Sequence, residues 1–196
     1  MWTDINAPKV SAYSKSKTLA ERAAWDLIAA SKGTTTLATV NPGLVIGPIL
    51  SREGLGSVQV VQRLLSGKVP GIPRLGFSIV DVRDVAGLHI RAMTAPEAAG
   101  QRFIAAGEFA WMTEIAEMLR TGLGDKAGKV PTRKVPDFVL RLVALFDKDL
   151  GAVTPSLGEK HEYTSAKAQK LLGWKPRALK DSVLDCARSL IAEGVV

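Results

Sequence analysis

Tyr13 and Lys17 are the residues of this chain whose types and spacing most clearly suggest chemistry. They lie four positions apart in a stretch of helical periodicity, so both side chains would share one helix face. An ammonium group favours the deprotonated form of a nearby phenol, which can then exchange a proton with a carbonyl or an alcohol. No side chain supplies a hydride, so such a pair would work beside a bound nicotinamide. The same spacing also arises by chance, and two ordinary surface residues are the alternative.

Two elements would position the pair. Helical periodicity predicts a helix over residues 8–31, with Pro8 in its first turn and Gly33 as its C-terminal cap. The β-branched run over residues 34–40 then predicts a buried strand that ends at a Pro-Gly turn. This order of elements is typical of a layered α/β fold.

The rest of the chain continues to alternate between helical and extended patterns. The pattern predicts helices over residues 55–66, 81–93, 112–120, 136–146, 165–172 and 179–192, strands over 77–80 and 101–106, a loop over 68–76 and an extended stretch over 129–135.

Composition sets the broad class. The 196 residues are 46% hydrophobic and 23% charged, which is ordinary for a globular protein, and no apolar run approaches the roughly 18 residues that span a bilayer. The single Cys186 excludes an internal disulfide and indicates a reducing compartment, so we expect a cytoplasmic protein without a membrane partner. The net charge of +7 is dispersed and lacks interleaved aromatic residues, which argues against nucleic acid as a partner.

Four sequence blocks carry a resemblance to a known family. They are Tyr13-Ser-Lys-Ser-Lys-Thr-Leu-Ala-Glu-Arg-Ala-Ala-Trp25, Asn41-Pro-Gly-Leu-Val-Ile-Gly-Pro48, Val80-Asp-Val-Arg-Asp-Val-Ala86 and Ala168-Gln-Lys-Leu-Leu-Gly-Trp-Lys-Pro176. In this order and spacing the chain resembles the extended short-chain dehydrogenase/reductases of the NAD-dependent epimerase/dehydratase superfamily. The resemblance is to the branch similar to dihydroflavonol 4-reductase and cinnamoyl-CoA reductase, and only to its C-terminal portion.

The resemblance implies a fold and a division of the chain. The fold would be α/β: the C-terminal part of a Rossmann-type doubly wound parallel sheet, without the N-terminal βαβ units, plus a smaller α/β lobe. Residues 1–50 would be the remnant of the dinucleotide-binding domain. Residues 51–196 would mainly form the substrate-binding lobe, returning to the sheet near 101–107, with residues 51–80 lining the substrate pocket.

The resemblance also implies roles for individual residues. Tyr13 would be the catalytic acid/base, and Lys17 would bind the nicotinamide ribose and assist Tyr13. Pro42, Gly43 and Leu44 would present backbone to the nicotinamide, and Ser57 would be a further cofactor contact. Asp81 and Asp84 would position a loop and cap the helix that follows it.

The cofactor would be NADP or NAD, and the sequence does not distinguish them. The glycine-rich turn that holds the phosphates in this family is absent, as is its upstream serine or threonine. Gly122-Leu-Gly-Asp-Lys-Ala127 matches the turn's pattern, but it follows a predicted helix rather than a strand, so we reject it.

The family implies hydride transfer between a nicotinamide and a carbonyl or secondary alcohol of a small organic substrate, by a monomer or homodimer. Because the phosphate-binding turn is missing, we expect the chain as given to be catalytically incomplete. A truncated non-catalytic remnant, an interaction lobe, and an epimerase or dehydratase of the same superfamily are the alternatives.

Overall fold

One bent stretch of extended chain joins the two sheets of the fold. In the computed structural model, which describes residues 2–8, 10–146, 151 and 153–196, this stretch comprises β1 (Thr39–Pro42) and β2 (Leu44–Ile46). β1 pairs in parallel with β4 (Arg102–Ala105). β2 pairs in parallel with β3 (Gly76–Asp81), which pairs antiparallel with β5 (Phe109–Trp111). The chain therefore changes partners at residue 43.

Gly43 makes this change possible. Its N–H donates to the carbonyl of Ala105, 3.0 Å away, and so extends the pairing of β1 with β4. A Cβ atom at this position would lie 2.2 Å from the carbonyl oxygen of Ser78 in β3. Only glycine permits this approach, so the junction depends on residue type rather than on an unusual backbone angle.

Seven helices surround the sheets in the described part of the chain. They are α1 (Ala12–Ala30), α2 (Gln59–Ser66), α3 (Val82–Thr94), α4 (Met112–Leu123), α5 (Asp137–Val143), α6 (Ala166–Leu172) and α7 (Leu179–Ala192). Short 3-10 turns occupy Gly56–Val58, Pro96–Ala98, Gly124–Ala127 and Thr154–Ser156.

The two sheets have separate apolar cores. Around β2, β3 and β5, a large cluster includes Leu64 of α2, Leu119 of α4 and Leu190 of α7, all fully buried. Around β1 and β4, a smaller cluster joins Phe103 and Ala105 to side chains of α3 and α6. Because strand residues alternate between faces, the opposite face of β1 and β4 is left for α1.

Helix α1 is shorter than predicted. It begins at Ala12 rather than at residue 8, because the Ser11 hydroxyl accepts the Ser14 N–H and caps the first turn. It ends at Ala30, where Ser31 takes an extended conformation, so Gly33 is not its cap. Thr18 is its only buried side chain.

The strand predicted over residues 34–40 is also displaced. Residues 34–38 form no strand, and β1 begins at Thr39, opposite Arg102. Pairing starts there because β4 itself begins at Arg102. The strand is half-buried rather than buried, and β5 is an element that the sequence did not predict.

The predicted cap at Asp81 is confirmed. Its buried carboxylate accepts the Arg83 N–H and two further hydrogen bonds from the Arg83 guanidinium. Burial raises the pKa of Asp81, but hydrogen bonds from Arg83 and Ser182 outweigh it, and the pKa lies below its ordinary value.

Two of the four sequence blocks interlock around Asp84. Its carboxylate accepts hydrogen bonds from both the backbone and the guanidinium of Arg177, at 2.8 Å each. Its carbonyl accepts the indole N–H of the buried Trp174, also at 2.8 Å. The first turn of α3 is therefore bound to the segment between α6 and α7.

The remaining helix predictions are confirmed to within a few residues, including the left-handed Gly67 that ends α2. Within the described residues, no helix has both the length and the apolar character required to traverse a bilayer.

We expect Gly43→Ala to lower the free energy of unfolding by at least about 2 kcal/mol, because the new methyl group would overlap the Ser78 carbonyl. Gly87→Ala in α3 is the matched control, since a Cβ there meets no atom within 4 Å. It should stabilise by about 0.5–1 kcal/mol through helix propensity. Urea unfolding of both variants checks this, and equal stabilities would contradict it.

Candidate active site

The structure places Tyr13 and Lys17 together on one face of α1. Tyr13 is in the first turn of the helix and is 72% exposed. The Lys17 ammonium lies 5.7 Å from the centroid of the Tyr13 ring. The geometry agrees with the spacing argument, while the catalytic roles of both residues stay predictions.

Both side chains line an open cleft of about 710 Å³. Its walls come from α1, from β1 and β4, and from two segments remote in sequence. The lining residues are Trp2, Thr3, Tyr13, Ser14, Lys17, Thr18, Glu21, Asn41, Pro42, Gly43, Gly100, Arg102, Ile104, Tyr163, Thr164 and Lys167. A cleft of this size is large enough for a small organic ligand.

Glu21 attaches α1, which forms one wall of the cleft, to the sheet of β1 and β4. Arg102 of β4 donates to both oxygens of the Glu21 carboxylate, at 2.7 Å each. The Thr39 hydroxyl donates to the same carboxylate at 2.6 Å, and the side chains of Asn41 and Trp25 donate at 3.4 Å. One carboxylate thus links α1 to both β1 and β4.

These bonds also change the acidity of Glu21. The Arg102 hydrogen bonds, opposed by burial and aided by Thr39, lower the pKa of Glu21 to about 2. The other side of the Arg102 guanidinium stacks on the Trp2 ring, 3.7 Å from its centroid. Arg102 is therefore held between a carboxylate and an indole.

The four remaining predicted cofactor contacts separate into two groups. Pro42 and Gly43 line the cleft beside Tyr13. Leu44 lies in β2 and packs against the larger apolar cluster, and Ser57 lies in the 3-10 turn before α2. Neither Leu44 nor Ser57 lines the cleft, and the cofactor contacts of all four stay predictions.

A further wall of the cleft was not predicted. Residues 51–80 contribute nothing to it, and Tyr163, Thr164 and Lys167 take that place. Ser78, buried in β3, holds this segment: its hydroxyl donates to the His161 carbonyl at 3.0 Å and accepts the Tyr163 N–H at 3.3 Å. The sequence carried no signal for this contact, which spans more than eighty residues.

Glu21, in contrast, had a signal that the sequence reasoning missed. It follows Tyr13 and Lys17 at the same four-residue interval, so all three share one helix face. A carboxylate on a face that meets a sheet needs donors. Arg102 and Thr39 are such donors in the neighbouring predicted strands.

Other candidate groups lie outside this site. Cys186 is buried in the core as predicted, and burial raises the pKa of its thiol to about 11. His89 and His161 are exposed. In the ranges that the structure describes, no group of three or more His, Cys, Asp or Glu side chains could hold a metal ion.

The Glu21 ion pair predicts that the free energy of unfolding depends on pH in the acidic range. Because the folded-state pKa of about 2 lies below the ordinary 4.5, the pair stabilises the fold above about pH 4.5 and this is lost as the pH falls towards 2. The native chain should lose up to about 3 kcal/mol more than Glu21→Gln over that interval. Urea unfolding at several pH values measures the difference.

Glu117→Gln is the control for this prediction, since that carboxylate pairs with Arg120 but is 62% exposed. Its pH profile should follow the native one to within about 1 kcal/mol. Parallel profiles for the native chain and Glu21→Gln would contradict the assignment.

Comparison with known proteins gives the chain its relatives. No family model matches it. It is 33% identical over 201 residues to ketoreductase azaE of Aspergillus niger, covering 98% of this chain and 54% of that protein. It is 30% identical over 195 residues to cinnamoyl-CoA reductase 1 of Arabidopsis thaliana, covering 98% of this chain and 50% of that protein.

A solved structure of a reductase also matches this chain. The yeast methylglyoxal/isovaleraldehyde reductase Gre2, complexed with NADPH, matches all of this chain and 56% of its own, with a TM-score of 0.73 and 28% identity. The chain thus spans about half the length of the relatives it matches. The relatives that it matches are reductases of the short-chain dehydrogenase/reductase type, and the chain corresponds to a C-terminal portion of them.

Proposed function

We propose that this chain carries the proton-transfer site of an NADPH-dependent reductase that acts on the carbonyl group of a small molecule. The observation that carries the proposal is the joint position of Tyr13 and Lys17 on the wall of the cleft. Tyr13 is exposed to the cleft, so a carbonyl oxygen can reach its hydroxyl. The relatives support it, because they include a ketoreductase and a reductase crystallised with NADPH.

In this proposal Tyr13, Lys17 and Glu21 have different tasks. Tyr13 donates its proton to the substrate oxygen as the carbonyl becomes an alcohol. Lys17 stabilises the phenolate that forms, because its ammonium lies near the ring. Glu21 positions both by fixing α1 against the sheet.

The cleft suits the nicotinamide end of the cofactor, which supplies the hydride when it is bound. Lys17 would donate hydrogen bonds to the ribose hydroxyls. Pro42 and Gly43 would face the carboxamide. Because the Gly43 N–H is already donated to Ala105, Gly43 would contribute its carbonyl group. Leu44 and Ser57 would require contacts from outside this cleft.

The phosphate end has no comparable site in the described residues. Gly122 lies within α4, and Gly124–Ala127 forms a 3-10 turn after it, so this segment does not join a strand to a helix. We therefore propose that the 196 residues alone bind NADPH weakly and are catalytically incomplete.

An interaction role is the second candidate, and one observation favours it. Leu19 is 50% exposed and Leu27 is 71% exposed on α1, whose only buried side chain is Thr18. An apolar helix face of this kind can bind a second protein segment. This apolar face of α1 is compatible with both a monomer and a homodimer.

The proposed role of Tyr13 is tested in a chimera that joins this chain to the N-terminal half of the Aspergillus niger ketoreductase. With NADPH and a ketone substrate, Tyr13→Phe should lower kcat by about 10²–10⁴-fold, since it removes the proton donor. The Kd for NADPH should stay within about twofold. Ser16→Ala, an exposed hydroxyl of α1 outside the cleft, is the control and should keep full activity.

The isolated chain is titrated with NADPH in parallel. We expect a Kd above roughly 100 μM, because binding would rest on the nicotinamide end alone. Micromolar binding would contradict the incompleteness of the chain, and an active Tyr13→Phe chimera would contradict the role of Tyr13.

A further inference from the structure

The cleft contains more positive charge than the proposed proton transfer uses. Its charged lining residues are Lys17, Arg102 and Lys167 against the single carboxylate of Glu21. Glu21 and Arg102 bind each other. Among the described residues, neither Lys17 nor Lys167 forms an ion pair with a carboxylate, so the cleft keeps two positive charges for its ligand.

Lys167 lies on a wall of the cleft that is anchored by contacts to the rest of the fold. It lies in the first turn of α6, with its ammonium 5.6 Å from the centroid of the buried Phe103 ring. The Ser78 hydroxyl anchors the preceding segment through its bonds to His161 and Tyr163. The wall is therefore tied to β3 through Ser78, and it contacts β4 through Phe103.

Two residues that carry hydroxyl groups line the same cleft as Lys167. Tyr163 is 53% exposed and lines the cleft, as does Thr164. The Thr164 oxygen accepts the Ala166 N–H at 3.2 Å, which leaves its hydroxyl hydrogen able to donate. The nearby Glu162 carboxylate is paired with Lys160, so it does not neutralise Lys167.

We propose that Lys167, with the hydroxyls of Tyr163 and Thr164, forms a subsite for an oxyanion of the substrate, a carboxylate or a phosphate group. One ammonium and two hydroxyl donors are groups that such an oxyanion binds strongly. The proposal rests on the proposed function, since it assigns this anion to the molecule whose carbonyl faces Tyr13. The preferred substrates would then be carbonyl compounds that also carry an acidic group.

The cofactor is a poorer explanation of this charge. The nicotinamide ring and its ribose, which Tyr13 and Lys17 would face, carry no acidic group. The pyrophosphate beyond that ribose is held in this type of fold by the glycine-rich turn and the helix N-terminus after the first strand. Lys17 is already assigned to that ribose, whereas Lys167 lies on a separate wall, more than one hundred residues away in sequence.

The test uses the full chain without cofactor and three aromatic probes: benzoate, phenyl phosphate and the neutral benzamide. Calorimetry should show that the two anions bind at least about fivefold more tightly than benzamide. Lys167→Ala should remove that preference, and Lys167→Arg should retain it. Added salt should weaken the binding of the two anions and leave the affinity for benzamide unchanged.

Lys170→Ala is the matched control, because Lys170 is an exposed lysine of α6 that does not line the cleft. It should keep the preference for anions, and circular dichroism verifies that each variant is folded. Equal affinities for anions and benzamide in the native chain, no binding of any probe, or equal effects of the Lys167 and Lys170 changes would overturn the subsite. Since no NADPH is present, this failure is distinct from failure of the proton-transfer proposal.

Discussion

The bidentate pair between Glu21 and Arg102 is the interaction on which the candidate site depends. Helix α1 buries only Thr18, so apolar packing contributes little to its position. The side chain of Glu21 is 12% exposed, and its carboxylate accepts bonds from four side chains, three of them on the neighbouring strands β1 and β4. Such a pair costs desolvation, and it is favourable only when its remaining hydrogen bonds are made. Thr39 and Asn41 make those bonds, and Tyr13 and Lys17 are thereby directed into the cleft.

The floor of the cleft, which Pro42 and Gly43 line, has a different origin. It results from the change of partner at Gly43, where the chain leaves β4 and joins β3. The contact with the Ser78 carbonyl excludes a side chain at this position. Ser78 then uses its own hydroxyl to hold the segment that carries Tyr163. Ser78 of β3 therefore contacts both the floor of the cleft, at Gly43, and one of its walls, at Tyr163.

The sequence predicted what periodicity and resemblance encode. The α/β fold, most helices, the Asp81 cap and the shared face of Tyr13 and Lys17 follow from local pattern. The ends of α1 and β1 did not follow, because the Ser11 cap and the start of β4 decide them. Tyr163 and Lys167 were missed for a related reason: their place in the cleft results from contacts between residues far apart in sequence. Glu21 was visible in the helical pattern, but its importance depends on the strands that meet it.

A double-mutant cycle with Glu21→Gln and Arg102→Gln tests the central claim, with amide hydrogen exchange of α1 as the readout. If this pair holds α1 on the sheet, each single change should lower the opening free energy of the α1 amides. The double variant should lose little more than either, with a coupling energy of at least about 1.5 kcal/mol. Additive effects, or α1 amides that exchange equally fast in the native chain and in all variants, would contradict the account.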